Sequence, residues 1–143
     1  MSGEDYISQI DRIKTEKLTN EEAKLVDTDA ILAILSQPFF SDLSSNDIII
    51  KEREFFAYVP ADEVLSDTAA KDEVLIQGVI DLLVIKGDKM FVVDYKTGSL
   101  TEEKIKKYTY QLDVYSRVAE RIFGKKLCGK YLCLLDLKKF LEI

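Results

Sequence analysis

The stretch from Val74 to Lys96 constrains the fold more than any other part of the chain. Two apolar segments, Val74–Lys86 and Lys89–Lys96, are separated by the pair Gly87-Asp88, which suits a two-residue hairpin turn. Fixing the turn fixes the register: Lys86 faces Lys89, Ile85 faces Met90, and counting outward sets Asp81 against Asp94. Directly opposed residues hold their Cβ atoms roughly 4.5–5.5 Å apart, so both carboxylates project from one face of the sheet. Lys96, two residues beyond Asp94, shares that face. The flanking residues Ile80, Leu82, Leu83, Val92 and Val93 are apolar, and facing acids in such surroundings repel each other and lose solvation. A divalent cation offsets that cost, since Mg²⁺ takes one or two carboxylates together with water and substrate phosphate. A cation so held activates water and stabilises charge on a phosphate, while a lysine steadies the hydroxide or the transition state. The plainer reading is a solvated acid pair or a lysine salt bridge, and a slip of one residue would send the acids to opposite faces.

Elsewhere the sequence alternates punctuation with periodic segments. Residues 1–18 are polar and read as a frayed lead-in. Thr19 with Glu22 forms a capping-box pattern that opens a short helix. A second helix covers about Asp29 to Ser36, stopped by Pro38, and Phe39, Phe40 and Leu43 make a hydrophobic knot before the Ser44-Ser45-Asn46-Asp47 turn. Ile48–Val59 reads as a strand rich in β-branched and aromatic residues, and residues 60–72 as a loop. Ser99 with Glu102 predicts a second capping box, opening a long helix to about Phe123. Its stripe is Ile105, Tyr108, Leu112, Tyr115, Ala119 and Ile122, and Gly124 ends it. Lys130–Leu137 and Phe140–Ile143 supply one or two last strands. The order is helices, three strands, helix, strand.

With 143 residues, 47% apolar and 32% charged, the chain has the balance of one soluble domain with its own core. No apolar run reaches the ~20 residues of a membrane span. Cys128 and Cys133 are the only cysteines and there is no histidine, which excludes a zinc finger or a four-cysteine iron–sulfur cluster within this chain. Five apart on a strand, the two thiols point to opposite faces and do not pair, so the cytosol is the expected compartment. The net charge of −6 argues against nucleic-acid binding by a basic surface, unless the acids gather at a metal site and other domains grip the DNA.

Four segments, in order and spacing, resemble a known family: Lys51-Glu52-Arg53-Glu54-Phe55, Gly78-Val79-Ile80-Asp81, Asp94-Tyr95-Lys96-Thr97, and Tyr108-x-x-Gln111-Leu112-x-x-Tyr115. Together they resemble the RecB-like branch of the PD-(D/E)XK nucleases, and within it the carboxy-terminal nuclease domain of AddA-type helicase/nucleases, over roughly residues 19–143. The resemblance implies an α/β fold with a restriction-endonuclease-like core, a mixed central sheet flanked by helices. It implies a Mg²⁺-dependent DNA exonuclease domain, with Mn²⁺ able to substitute, acting in double-strand-break repair by homologous recombination in the bacterial cytoplasm. By the same resemblance Asp81, Asp94 and the backbone carbonyl of Tyr95 are metal ligands, and Lys96 is the catalytic lysine. Gln111 and Tyr115, one helical turn apart, lie near the active centre. Tyr115 can equally be a core aromatic on the apolar stripe, whereas Gln111 has no packing reason to sit beside it. Glu52 falls on the family glutamate, either assisting the metal or standing as a solvated strand residue, and Tyr108 reads as core.

The chain departs from the family in two places. Glu54 replaces the usual proline, and the metal-binding histidine on a helix before the first strand is missing. A fragment beginning after that helix, or a decayed site, explains the latter; the polar start favours a fragment. No phosphate-binding Gly-x-x-x-x-Gly-Lys-Thr loop is present, so the expected parent hydrolyses ATP and this piece does not. The implied partners are DNA, as single-stranded ends fed by a helicase, the helicase region of the same parent chain, and the second subunit of an AddAB-type complex, with no membrane. A non-catalytic DNA- or partner-binding relative and a free-standing restriction-type endonuclease are the alternatives; all three of Asp81, Asp94 and Lys96 being retained speaks against decay.

Overall fold

A computed structural model of the chain describes residues 3–64 and 72–143. Four helices precede the first strand: α1 (Gly3–Glu16), α2 (Asn20–Leu25), α3 (Thr28–Leu35) and α4 (Pro38–Ser41). The first corrects the frayed lead-in, because α1 is a helix anchored by its buried Ile10. The Thr19 capping box forms as expected: its hydroxyl accepts from Glu22 N at 3.3 Å while the Glu22 carboxylate accepts from Thr19 N at 2.8 Å. Pro38 follows the end of α3 and opens α4, where its missing N–H costs nothing.

The sheet has five strands in the order β1-β2-β3-β4-β5: β1 (Ile48–Pro60), β2 (Glu73–Lys86), β3 (Lys89–Lys96), β4 (Lys126–Leu134) and β5 (Lys139–Glu142). The expected loop after β1 begins instead with the short helix α5 (Ala61–Val64); residues 65–71 of that expected loop lie outside the described ones. The long helix α6 (Glu102–Phe123) links β3 to β4, which pair in parallel, whereas the other three pairings are antiparallel. This is the expected mixed α/β sheet with flanking helices.

Two apolar layers hold the helices to the sheet. On one face Ile80, Leu83, Ile85, Met90, Val92, Leu132 and Leu134 pack against Leu112, Val118 and Ala119 of α6. On the other, Leu82, Val84, Val93 and Cys133 pack against Ile34 and Phe40, joined by an aromatic group in which Tyr131 stacks on Phe140 at 4.8 Å. The residues of α6 differ in part from the expected stripe. Ile122 is 44% exposed, and Phe123 packs on the core in its place. Counting by threes and fours drifts off a 3.6-residue repeat, and Ala119 is followed on the buried face by the residue four later. The helix is also capped by Thr101, whose hydroxyl accepts from Lys104 N at 3.2 Å, and not by Ser99. Ser99 contributes its carbonyl to Lys104 Nζ instead. Gly124 closes the helix in the left-handed conformation with φ 60°.

Candidate active site

The turn at Gly87-Asp88 sets the register that the sequence predicts, with Lys86 opposite Lys89 and Leu82 opposite Val93 as the last rung. One step further, Asp81 and Asp94 leave the ladder. Asp81 Oδ2 accepts from Tyr95 N at 2.9 Å, so a side chain takes the place of a backbone acceptor at the end of the zipper. A second break coincides on the opposite edge of β2. Pairing with β1 runs continuously on both sides, Lys51 opposite Leu82 and Arg53 opposite Ile80, yet Glu52 and Asp81 between them do not pair. Glu52 has φ 49°, in the left-handed region that strains a residue with a side chain.

Both strands change the face they turn to α6 at this point. In β2, Ile76 and Ile80 pack on the α6 side, and then Leu83 and Ile85 do; in β1, Ile50 does, followed by Phe55, Ala57 and Val59. Even positions give way to odd in each strand, which strict alternation forbids. The sheet is kinked where the two acids stand, and the kink opens a cleft of about 460 Å³ lined by Lys51, Glu52, Asp81, Leu82 and Tyr95.

Asp94 is the buried acid, 4% exposed. Burial raises its carboxyl above the ordinary value of 3.8, as does the charge of Asp81, while Lys96 pulls the other way. Lys96 Nζ lies 2.8 Å from Asp94 Oδ2. This is an ion contact and not an aligned hydrogen bond, so that oxygen keeps lone-pair capacity facing the centre. Lys96 also donates to Gln111 Oε1 at 3.2 Å and stands 4.8 Å over the ring of Tyr108. Gln111 Nε2 in turn donates to the Tyr115 hydroxyl at 3.0 Å. The chain of contacts therefore runs Asp94, Lys96, Gln111, Tyr115, from β3 across to α6.

Tyr115 is packed as well as polar. Its ring meets Phe55 edge-on at 5.0 Å, and Gly78 passes so close that an added Cβ would lie 2.6 Å from its hydroxyl. Both readings of Tyr115 thus describe one residue, a core aromatic with its polar end at the site. Tyr108 packs against the core from its place beneath Lys96. Tyr95 turns toward Cys133, and its phenol is pushed up to about 12 by burial, then by the charges of Cys133 and Asp81. The structure brings Asp81, Asp94, Tyr95, Lys96, Gln111 and Tyr115 together, with Glu52 lining the same cleft as Asp81 and Tyr95.

The donor set suits a hard divalent cation. Side chains supply two carboxylates, one of them with an unsatisfied buried oxygen, and among the described residues no third His, Cys, Asp or Glu joins them. Remaining positions would fall to main-chain carbonyl and water, the coordination Mg²⁺ favours. Sequence reasoning missed two contributors. Asp136 accepts from Gly98 N at 2.5 Å and ties down the loop after Lys96. A second cleft of about 500 Å³, between the start of α6 and β2, is lined in part by Lys107 and Tyr110. The run Lys106-Lys107-Tyr108-Thr109-Tyr110 was the available signal: two aromatics and two cations on the first turns of a helix whose buried face begins later.

A kinked sheet with paired acids at the break, a lysine two residues on, and a crossover helix returning a glutamine and a tyrosine define a nuclease core. The chain belongs to the PD-(D/E)XK nuclease superfamily, whose family model matches residues 15–138. It is 37% identical over 136 residues to the A-type subunit of the ATP-dependent helicase/nuclease of Pelotomaculum thermopropionicum, covering 90% of this chain and 11% of that protein. The protein of the same name from Carboxydothermus hydrogenoformans is 34% identical, over 88% of this chain and 11% of the relative. That of Clostridium botulinum strain Langeland is 33% identical, over 99% and 12%. This chain spans about a tenth of the length of these curated relatives. Among the described residues, no helix is long and apolar enough to cross a membrane.

Proposed function

We propose that the chain is the metal-dependent nuclease domain of an ATP-dependent helicase/nuclease, an exonuclease that hydrolyses phosphodiester bonds of single-stranded DNA ends during double-strand-break repair by homologous recombination. The observation that carries this reading is the carboxylate of Asp94, buried with an unsatisfied oxygen, beside Asp81 and 2.8 Å from the Lys96 ammonium. Lys96 offsets part of the cost of burying that acid, and a divalent cation shared with Asp81 would offset more of it.

Asp81, Asp94 and the Tyr95 carbonyl would hold Mg²⁺, with Mn²⁺ as a substitute. When bound, such a cation lowers the pKa of water and draws charge off a phosphate oxygen. Asp94 orients Lys96 through their ion contact, and Gln111 fixes the same ammonium from the helix side. Nζ is thereby held beside the acids, where it would meet the negative charge that a phosphate gains. Tyr115 holds Gln111, and Gly78 gives Tyr115 its room. Glu52 stands as an accessory acid in the cleft it lines with Asp81. The helicase region of a longer parent chain and the second subunit of an AddAB-type complex are the proposed partners, and the bacterial cytoplasm the proposed compartment.

The test is calorimetric titration of Mn²⁺ into the chain and into Asp94→Ala, with cleavage of a labelled single-stranded oligonucleotide followed in parallel. Metal uptake should vanish in the variant, and Lys96→Ala should cut at least about a hundredfold more slowly than the parent while still taking up metal. Cleavage undiminished by either change would falsify the assignment.

A further inference from the structure

The two clefts beside Asp94 differ in chemistry. The one at the kink carries Glu52 and Asp81. The other, about 500 Å³ and bordered by Ile76, Lys96, Lys107, Tyr108, Tyr110, Gln111 and Tyr115, has no carboxylate among the described residues that line it. In a chain with 26 acidic against 20 basic side chains, a cleft whose described lining carries two lysines, three tyrosines and no acid is a local reversal of the molecule's charge. Its volume falls in the roughly 300–1,000 Å³ range of ligand sites. Lys107, Tyr110 and Gln111 are three and four positions apart on α6, so they form one patch, and Tyr110 is 51% exposed.

We infer that this cleft receives an unpaired nucleotide adjoining the scissile phosphate, its base against Tyr110 and Ile76 and its phosphate on Lys107. The inference rests on the nuclease reading for its direction, because Lys96 and Gln111 belong to both the cleft and the centre. A π-face beside a cation and an apolar wall, without acids, fits a nucleobase with its attached phosphate. A base inside a duplex has its faces covered by neighbouring pairs and cannot enter, so the cleft selects single strands. It also meets the objection raised by net charge, since the strand would lie on lysines and tyrosines and not beside Glu52 and Asp81.

The test is fluorescence anisotropy of a labelled oligothymidylate titrated with the full chain in chelator, so that neither metal nor cleavage enters. Tyr110→Ala should weaken binding about 5- to 100-fold, the range of one lost base–aromatic stack, and Tyr110→Phe should restore it. Lys107→Ala should weaken binding and flatten its dependence on salt by about one phosphate contact. Tyr58→Ala, an exposed tyrosine on the face of β1 turned away from α6, should bind like the parent. Circular dichroism of each variant separates lost binding from lost fold, and Tyr110→Phe carries the comparison if the alanine variant unfolds. No binding by the parent, equal binding of a duplex, or unchanged affinity in both Tyr110→Ala and Lys107→Ala overturns the subsite. Tyrosine-dependent binding by a chain that cuts nothing when Mn²⁺ is supplied leaves the subsite standing and removes the nuclease reading.

Discussion

Replacing Gly78 by alanine tests the link between strand packing and the polar chain that ends at Lys96. A glycine in a strand with ordinary backbone angles usually gains from this change, by about 0.4–1 kcal/mol, because alanine restricts the unfolded chain. Here the new methyl would lie 2.6 Å from the Tyr115 hydroxyl, 2.9 Å from its Cζ and 3.0 Å from Cζ of Phe55. Two aromatic rings already packed edge-on at 5.0 Å cannot both retreat, and overpacking of this kind costs about 1–3 kcal/mol. The clash outweighs the gain, leaving a net loss of roughly 1–2 kcal/mol, or a fall of about 3–8 °C in Tm for a domain of this size. Thermal unfolding of Gly78→Ala, Tyr115→Phe and the double variant measures it. Removing the hydroxyl deletes the shortest contact but leaves the 2.9 Å one, so the alanine should cost less in the phenylalanine background by at least about 0.5 kcal/mol, without recovering fully. Stabilisation by Gly78→Ala, or the same loss in both backgrounds, would refute the reasoning.

Four further outcomes follow from the same contacts. Asp94 has its carboxyl raised by burial, so its contribution to stability is fully present below its ordinary value of 3.8 and is lost as pH rises through the folded value; in metal-free buffer, the stability of Asp94→Asn relative to the parent should therefore climb over that window and then level off, which denaturant titrations at several pH values would show. Burial pushes the Cys133 thiol up to about 11 whereas Cys128 is exposed, so a disulfide reagent near pH 8 should label Cys128 in the native chain and Cys133 only after unfolding; labelling of both in the native state contradicts this. Thr101→Ala should destabilise by about 1 kcal/mol and Ser99→Ala by far less, as read from urea unfolding, because only the first removes the helix cap. Asp136→Ala should release the backbone amide of Gly98, seen as faster hydrogen exchange there, with rates within β3 unchanged.

The parts legible in the sequence are those where one residue type has one backbone use. Gly87-Asp88 fixed the β2–β3 register because few pairs fit that turn, and Thr19 with Glu22 cap α2 through two reciprocal bonds. Gln111 stood out as polar beside an apolar stripe, and its amide does bridge Lys96 and Tyr115. Other features left no compositional trace. Glu52 holds a positive φ that glycine or asparagine would have advertised, so the change of face at Asp81 was invisible to a count by twos. Helix α1 buries only Ile10 among its described side chains, too little to stand out from a polar tail. Ser99 and Thr101 are both plausible caps by type, and only the path of the loop after Lys96 decides between them. Lys107 and Tyr110 were passed over because they lie off the stripe that marks the helix as buried.

The acids, the lysine and the residues that hold it are joined by contacts spanning 14 and 15 positions, all within the uninterrupted run from Gly78 to Tyr115. A genetic exchange with both ends outside that run transfers the whole centre at once. An exchange ending in the loop between β3 and α6 would part the acids from Gln111 and Tyr115, and the recombinant would inherit the ligands without the clamp on Lys96.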